Sequence, residues 1–279
     1  MQRVTVRVPA STSNLGPGFD CLGVALRLYN DVVVQRGGAS PKPTPMMREA
    51  AQAFFRRAAC KTFAFSCTVS GDVPESRGLG SSVTVRLGVL FGLNELAERP
   101  LTREQLFEIC TDLEGHPDNA APAAFGGFNV CRPGQRQRFA VASSLKFVLL
   151  IPDFEVRTKD ARALLPSQIS WADAVASCGN ACAVTASFAS GKYENLRGAF
   201  TDGLHQPFRK RLIPFFDAAI SAAEAAGALG GFLSGSGSTV AAVSLRDAEQ
   251  IAHAMLSTAD VDARVFITTA DNRGAQILK

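Results

Sequence analysis

No apolar run in these 279 residues approaches the roughly 18 that would span a bilayer. The opening MQRVTVRVPAS alternates apolar and polar residues like a strand and lacks the apolar stretch of a secretory signal. A cytoplasmic chain without a membrane partner is therefore expected. Histidine is scarce, and His116, His205 and His253 show no zinc-ligand spacing around Cys178 and Cys182 of the CGNAC stretch. The seven cysteines are odd in number and scattered, which argues against a disulfide framework and for reduced thiols held in the core. A basic face is also missing. The net charge of +4 is spread along the chain, and the denser stretch 132–138 contains Pro133-Gly134 and reads as a solvated turn, so nucleic acid is not an expected partner. With 47% hydrophobic and 19% charged residues, the chain falls within the globular range and has length for one large domain or two modest ones.

What is there reads as mixed strands and helices without strict alternation, which predicts an α+β fold. Strands are expected at 5–8, 63–69, 147–151, 231–233, 240–244 and 264–268, the third of the continuous apolar kind that suits a buried position. Helices are expected at 48–59, at 82–98 before Pro100, and from Thr102 to about Glu114, where Gln105 completes a capping box. The second half adds helices at 158–165, 171–190, 194–200 and 214–226.

The strongest local signal is Gly78-Leu79-Gly80-Ser81-Ser82, between a predicted strand and a predicted helix. Glycines let a backbone approach an anion closely, and the free N–H groups and dipole of a helix start attract it. No Lys follows the last glycine, so this is not a Walker A loop; alone, the run serves equally as a turn or a phosphate cradle. Glu114-Gly115-His116-Pro117-Asp118-Asn119 gathers polar groups at a helix end, where a cap or turn is the bland alternative; Glu114 with the Ser82 hydroxyl could supply oxygen ligands to Mg2+. Ser234-Gly235-Ser236-Gly237-Ser238, taken by itself, reads as a flexible strand connection.

Together, and in this order, PASTSNLGPGFDCLGVAL, PESRGLGSS, EGHPDNAAPAAFGGF and LSGSGST resemble the motifs of the GHMP kinase superfamily over nearly the whole chain. FEVRTKDARALLP and DGLHQPFRKRLIP are similar to segments of its homoserine kinase branch in particular. The resemblance implies a two-domain GHMP kinase fold, with a ribosomal-protein-S5-like N-terminal domain over 1–145 and a ferredoxin-like C-terminal domain over 146–279. It implies an ATP loop formed by Pro74, Glu75, Ser76, Arg77, Gly78, Leu79, Gly80, Ser81, Ser82, Val83 and Thr84, with Mg2+ on Ser82 and Glu114. Homoserine as substrate would meet Asn14, Asp20, His116, Asn119, Thr158, Arg162 and Arg209, with Asp20 matching the ammonium group.

Two arginines suit a carboxylate, because the guanidinium fork matches its geometry; without the resemblance, either would read as an exposed helix charge. Phosphoryl transfer is mostly positioning and charge neutralisation, so Asp118 could act as a base or, as the resemblance favours, orient neighbours such as Arg162; Asn119, Arg162 and Thr158 complete the implied catalytic set. Val83, Thr84, Arg86, Ser238 and the Pro45-Met46-Met47 stretch depart from the family pattern. The rival readings are a sister kinase for another alcohol and a non-catalytic ligand-binding descendant. The resemblance allows a homodimer without requiring one.

Overall fold

Valines at alternate positions give the first strands one fully buried face, and that face organises the N-terminal half. A computed structural model of the chain describes residues 2–37 and 41–278. β1 (Arg3–Ser13) and β2 (Leu22–Arg36) pair antiparallel along their length, with a register shift between Pro9 and Ala10. The shift moves the second half of β1 to the other core. Val4, Val6 and Val8 pack with Val32 and Val34 under the helices, while Ala10 joins Leu22, Val24 and Leu26 in the centre of the molecule.

β2 is long enough to hold β3 (Phe65–Gly71) on one half and β4 (Phe128–Arg132) on the other. β4 turns back through Pro133-Gly134 into β5 (Gln135–Phe139), so the basic stretch is a hairpin. β10 (Gln276–Leu278) closes the outer edge against β1, bringing the far end of the chain into the first sheet.

The second sheet runs β7 (Gly230–Leu233), β8 (Val240–Ser244), β6 (Lys146–Pro152) and β9 (Ala263–Thr269), all antiparallel. The continuous apolar run of β6 has a direct cause: Phe147, Leu149 and Ile151 face the central core, whereas Val148 and Leu150 face the outer helices. β8 divides in the same way, Ala241 and Val243 inward and Val240 and Ala242 outward.

Helices cover both outer faces. α1 (Pro45–Ala58), α2 (Ser81–Leu96), α3 (Arg103–Glu114) and the short α4 (Ala120–Phe125) belong to the first half. α5 (Thr158–Ala163), α6 (Trp171–Ser190), the single turn α7 (Gln206–Arg209), α8 (Phe216–Ala225) and α9 (Ala248–Leu256) belong to the second. α2 is buried along most of its length and meets β2 through Gly88 and Gly92, where a Cβ would stand 2.3 Å from Val32 and 2.4 Å from Val34.

The fold is the expected α+β, with local corrections. The helix expected at 194–200 is only a 3-10 turn, Tyr193–Leu196, because the backbone leaves helical geometry at Arg197, ψ 124°. β2, β4, β5, β10, α4, α7 and α9 are not among the expected elements. All seven cysteines are free, but Cys178 and Cys182 are exposed on α6 and do not belong to the core. Among the described residues, no helix is long and apolar enough to cross a membrane.

Candidate active site

The glycine run after β3 has to turn sharply to start α2, and it does so in the left-handed region, Gly78 at φ +72° and Gly80 at φ +70°. There is no room for side chains at either position. A Cβ on Gly78 would lie 2.1 Å from the Ser234 carbonyl oxygen, and one on Gly80 would lie 2.4 Å from Ser11 Oγ. Gly80 is the N-cap of α2 with no side-chain cap, so the first N–H groups of a sixteen-residue helix open into a cleft of about 700 Å3.

The third Gly/Ser segment is not a flexible connection. Ser234, Ser238 and Thr239 are fully buried, and Ser234 Oγ donates to the Gly78 carbonyl at 2.7 Å. Thr12 and Ser234 hydroxyls meet at 2.8 Å, and the Gly235 N–H donates to the Ser13 carbonyl. The two loops and the end of β1 thus form one bonded floor.

On one wall, Ser82 Oγ donates to Glu114 Oε2 at 3.0 Å, brought together by the start of α2 and the capped end of α3. Burial pushes the Glu114 carboxyl up, and Arg86 and the Ser82 hydrogen bond oppose that shift. Arg86 Nε approaches Glu114 Oε1 to 2.9 Å but off the hydrogen-bond direction, so both atoms are buried without a hydrogen-bond partner. A buried carboxylate with one orphaned oxygen beside a hydroxyl is a donor set that fits Mg2+.

Another part of the lining is ionic. Arg162 of α5 donates to Asp20 Oδ1 at 2.6 Å. Arg209 is 2% exposed, buried in spite of its position on a charged helix turn, and its guanidinium reaches only the Ala161 and Gly235 carbonyls, at 3.4 and 3.3 Å. Burial, then the nearby Arg162, lowers it to about 10, which leaves it charged at neutral pH. Asn14, itself at φ 69°, holds this corner: its side chain donates to the Gly235 carbonyl and accepts from the Asp20 N–H.

Asp118 is buried and accepts from His116 Nδ1 at 2.8 Å and from the Asn119 N–H at 3.0 Å. The Asp118 hydrogen bond raises the His116 pKa against the effect of burial. Asp118 therefore orients His116 and Asn119, and the carboxylate partner of Arg162 is Asp20. Asp20, His116 and Asp118 place ligand-type atoms within 4.8 Å of one another, and within that group His116 Nδ1 is engaged with Asp118 Oδ1. Asn119 is fixed by Ser11 and Ser13, and the hydroxyls of Thr158 and Ser236 lie 3.4 Å apart.

Most of the residues expected at the site line this cleft; Pro74, Leu79 and Thr84 do not. Leu79 is core, and Thr84 is buried, accepting from Asn30 and donating to the Ser81 carbonyl. Arg77 lines the cleft, yet its guanidinium is bonded to the Pro152 and Glu75 carbonyls and to Asp153. Met46, Val69, Val73 and Val85 add an apolar part to the lining. Met46 belongs to the Pro45-Met46-Met47 stretch singled out in the sequence, whereas the three valines carry no signal there.

Two family models match: GHMP kinases N terminal domain over residues 46–127 and GHMP kinases C terminal over residues 184–260. The homoserine kinase of Clostridium botulinum is 36% identical over 294 residues, covering 99% of either chain. That of a Synechococcus species is 40% identical over 299 residues, 99% of this chain and 98% of its own. The crystal structure of homoserine kinase from Cytophaga hutchinsonii superposes with a TM-score of 0.91 at 26% identity, over 100% of this chain and 98% of that one. The chain belongs to the GHMP kinases and, within them, to the homoserine kinase family.

Proposed function

We infer that the chain transfers the γ-phosphate of ATP to the side-chain hydroxyl of L-homoserine, forming O-phospho-L-homoserine in threonine biosynthesis. The observation that carries this reading is the lining of one cleft, which combines a glycine loop on a helix start with Arg162, Arg209 and Asp20. The first suits a polyphosphate and the second a zwitterion.

The loop from Gly78 to Ser82 offers backbone N–H groups to the phosphates, with the apolar part beside Met46 and Val69 left for the base. Ser82 and Glu114 would hold Mg2+, which when bound neutralises charge on the triphosphate. Arg162 and Arg209 bind the substrate carboxylate, and Asp20 its ammonium group. Arg162 pairs with Asp20 in this structure, so the carboxylate and the ammonium group of a zwitterion match the two members of one ion pair. Asn119 and Thr158 border the place of the hydroxyl, with Asn119 held by Asp118. No strong base is required, because positioning and charge neutralisation supply most of the acceleration. We place the division between the two halves near residue 145, and the free thiols fit a cytoplasmic enzyme.

A cross of enzymes and substrates tests the reading. Truncating one partner of a desolvated charge pair costs about 2–5 kcal/mol. Arg162→Leu and Arg209→Leu should therefore lower kcat/KM for homoserine by roughly 30-fold or more. Aminopropanol, which lacks the carboxylate, should react poorly with the wild type and lose little on mutation. Equal losses on both acceptors would remove the arginines from the substrate, and a wild type that prefers aminopropanol would overturn the assignment.

A further inference from the structure

His205 has no part in the site as described, yet it is completely buried and tightly fixed. Its backbone N–H donates to Asp202 Oδ1 at 2.8 Å, its ring Nε2 donates to the Gly16 carbonyl at 2.8 Å, and its Nδ1 is buried without a partner. The ring is stacked on Phe19, with centroids 5.2 Å apart and planes inclined by 25°. Phe19 in turn lies beside both arginines: Cζ of Arg209 is 4.9 Å from its ring centroid and Cζ of Arg162 is 5.4 Å away.

Two guanidinium groups sharing one corner repel each other. Arg162 has Asp20 as counterion, but Arg209 has only long hydrogen bonds to carbonyls. The negative face of an aromatic ring attracts both cations without accepting a hydrogen bond, so their N–H groups stay available to a ligand. Phe19 is half-buried and does not itself line the cleft.

We propose that Phe19, its ring held in place by His205, is a positioning residue that keeps Arg162 and Arg209 at the spacing one carboxylate can bridge, and so determines selection of an amino acid over a simple alcohol. The proposal rests on the reading of the two arginines as carboxylate ligands. Phe19 then acts on binding of the acceptor and leaves turnover at saturation to the rest of the site.

Phe19→Leu retains apolar bulk and removes the aromatic face. Its KM for homoserine should rise about tenfold or more with kcat within about twofold of wild type. KM for ATP, the melting temperature and the kinetics with aminopropanol should be unchanged. Phe19→Tyr should restore the homoserine KM. An equal effect on both acceptors, or a fall in melting temperature with no rescue by tyrosine, would show a packing role and defeat the proposal. Arg162→Leu and Arg209→Leu in the same assay separate the two ideas. If they discriminate between the acceptors and Phe19→Leu does not, the positioning role alone falls; if they do not discriminate either, it falls together with the carboxylate reading.

Discussion

Arg86 reaches the carboxylate proposed to hold the metal. It also pairs with the exposed Glu49 at 3.1 Å, so its charge is shared between a surface group and a buried one. A cation beside Glu114 competes with Mg2+ for the same negative charge. Arg86→Gln should lower the Mg2+ concentration for half-maximal rate by about fivefold, equivalent to roughly 1 kcal/mol. A variant that needs more Mg2+ than wild type would mean that Arg86 holds Glu114 in place. Individual residues were only partly legible in the sequence. The order of the motifs exposed Asn14, Asp20 and Glu114, and the resemblance also pointed to Arg209, which by its own neighbours reads as surface; its burial depends on α5 and the Ser234 loop folding over it. Phe19 is one phenylalanine among nineteen, and nothing in its sequence neighbours announces the two arginines beside it.

Among the elements, α2 bears most directly on catalysis, because its start is the proposed phosphate site and its contact with β2 sets where that start lies. The approach is closest at Gly88 and Gly92, one turn apart, opposite Val32 and Val34, two residues apart. Gly88→Ala should cost about 1–3 kcal/mol through overpacking, read as a lower urea midpoint, and should raise KM for ATP as the helix shifts. Gly179 on α6 has nothing near its Cβ position, so Gly179→Ala should instead stabilise by about 0.5–1 kcal/mol. The same substitution in two helices then has opposite signs. Elements with strong caps or long periodicity were legible: α3 begins at Thr102 and α6 spans 171–190 as expected. β5, with sequence QRQRF and mostly exposed, has no buried face to produce alternation, and β10 is three residues long. α9 does carry apolar residues at helical spacing, Ala248, Ile251, Ala252 and Met255, so it too is legible in the sequence.

At the scale of the molecule, one core lies between the two sheets and takes side chains from both, including Leu22 and Phe128 from one and Phe147 and Phe232 from the other. Neither half is complete without that shared layer. Unfolding followed by far-UV circular dichroism should therefore be a single cooperative transition, and saturating nucleotide at 100 times its Kd should raise stability by about 2.7 kcal/mol. Two transitions, only one of them moved by nucleotide, would show that the halves unfold independently. Tryptophan emission is a poor probe of this event, since the single Trp171 is 88% exposed in the folded state.

The pairing of β10 with β1 matters before the protein is finished. Thr5 meets Leu278, so the outer edge of the first sheet stays unpaired while everything between them is being synthesised. At about 5–20 residues per second this takes on the order of 15–50 s. Throughout that interval a nascent chain carries an open, valine-bearing strand of the kind that pairs with neighbours. A chain truncated shortly before residue 276 would have its cleft residues already made but its sheet edge still bare.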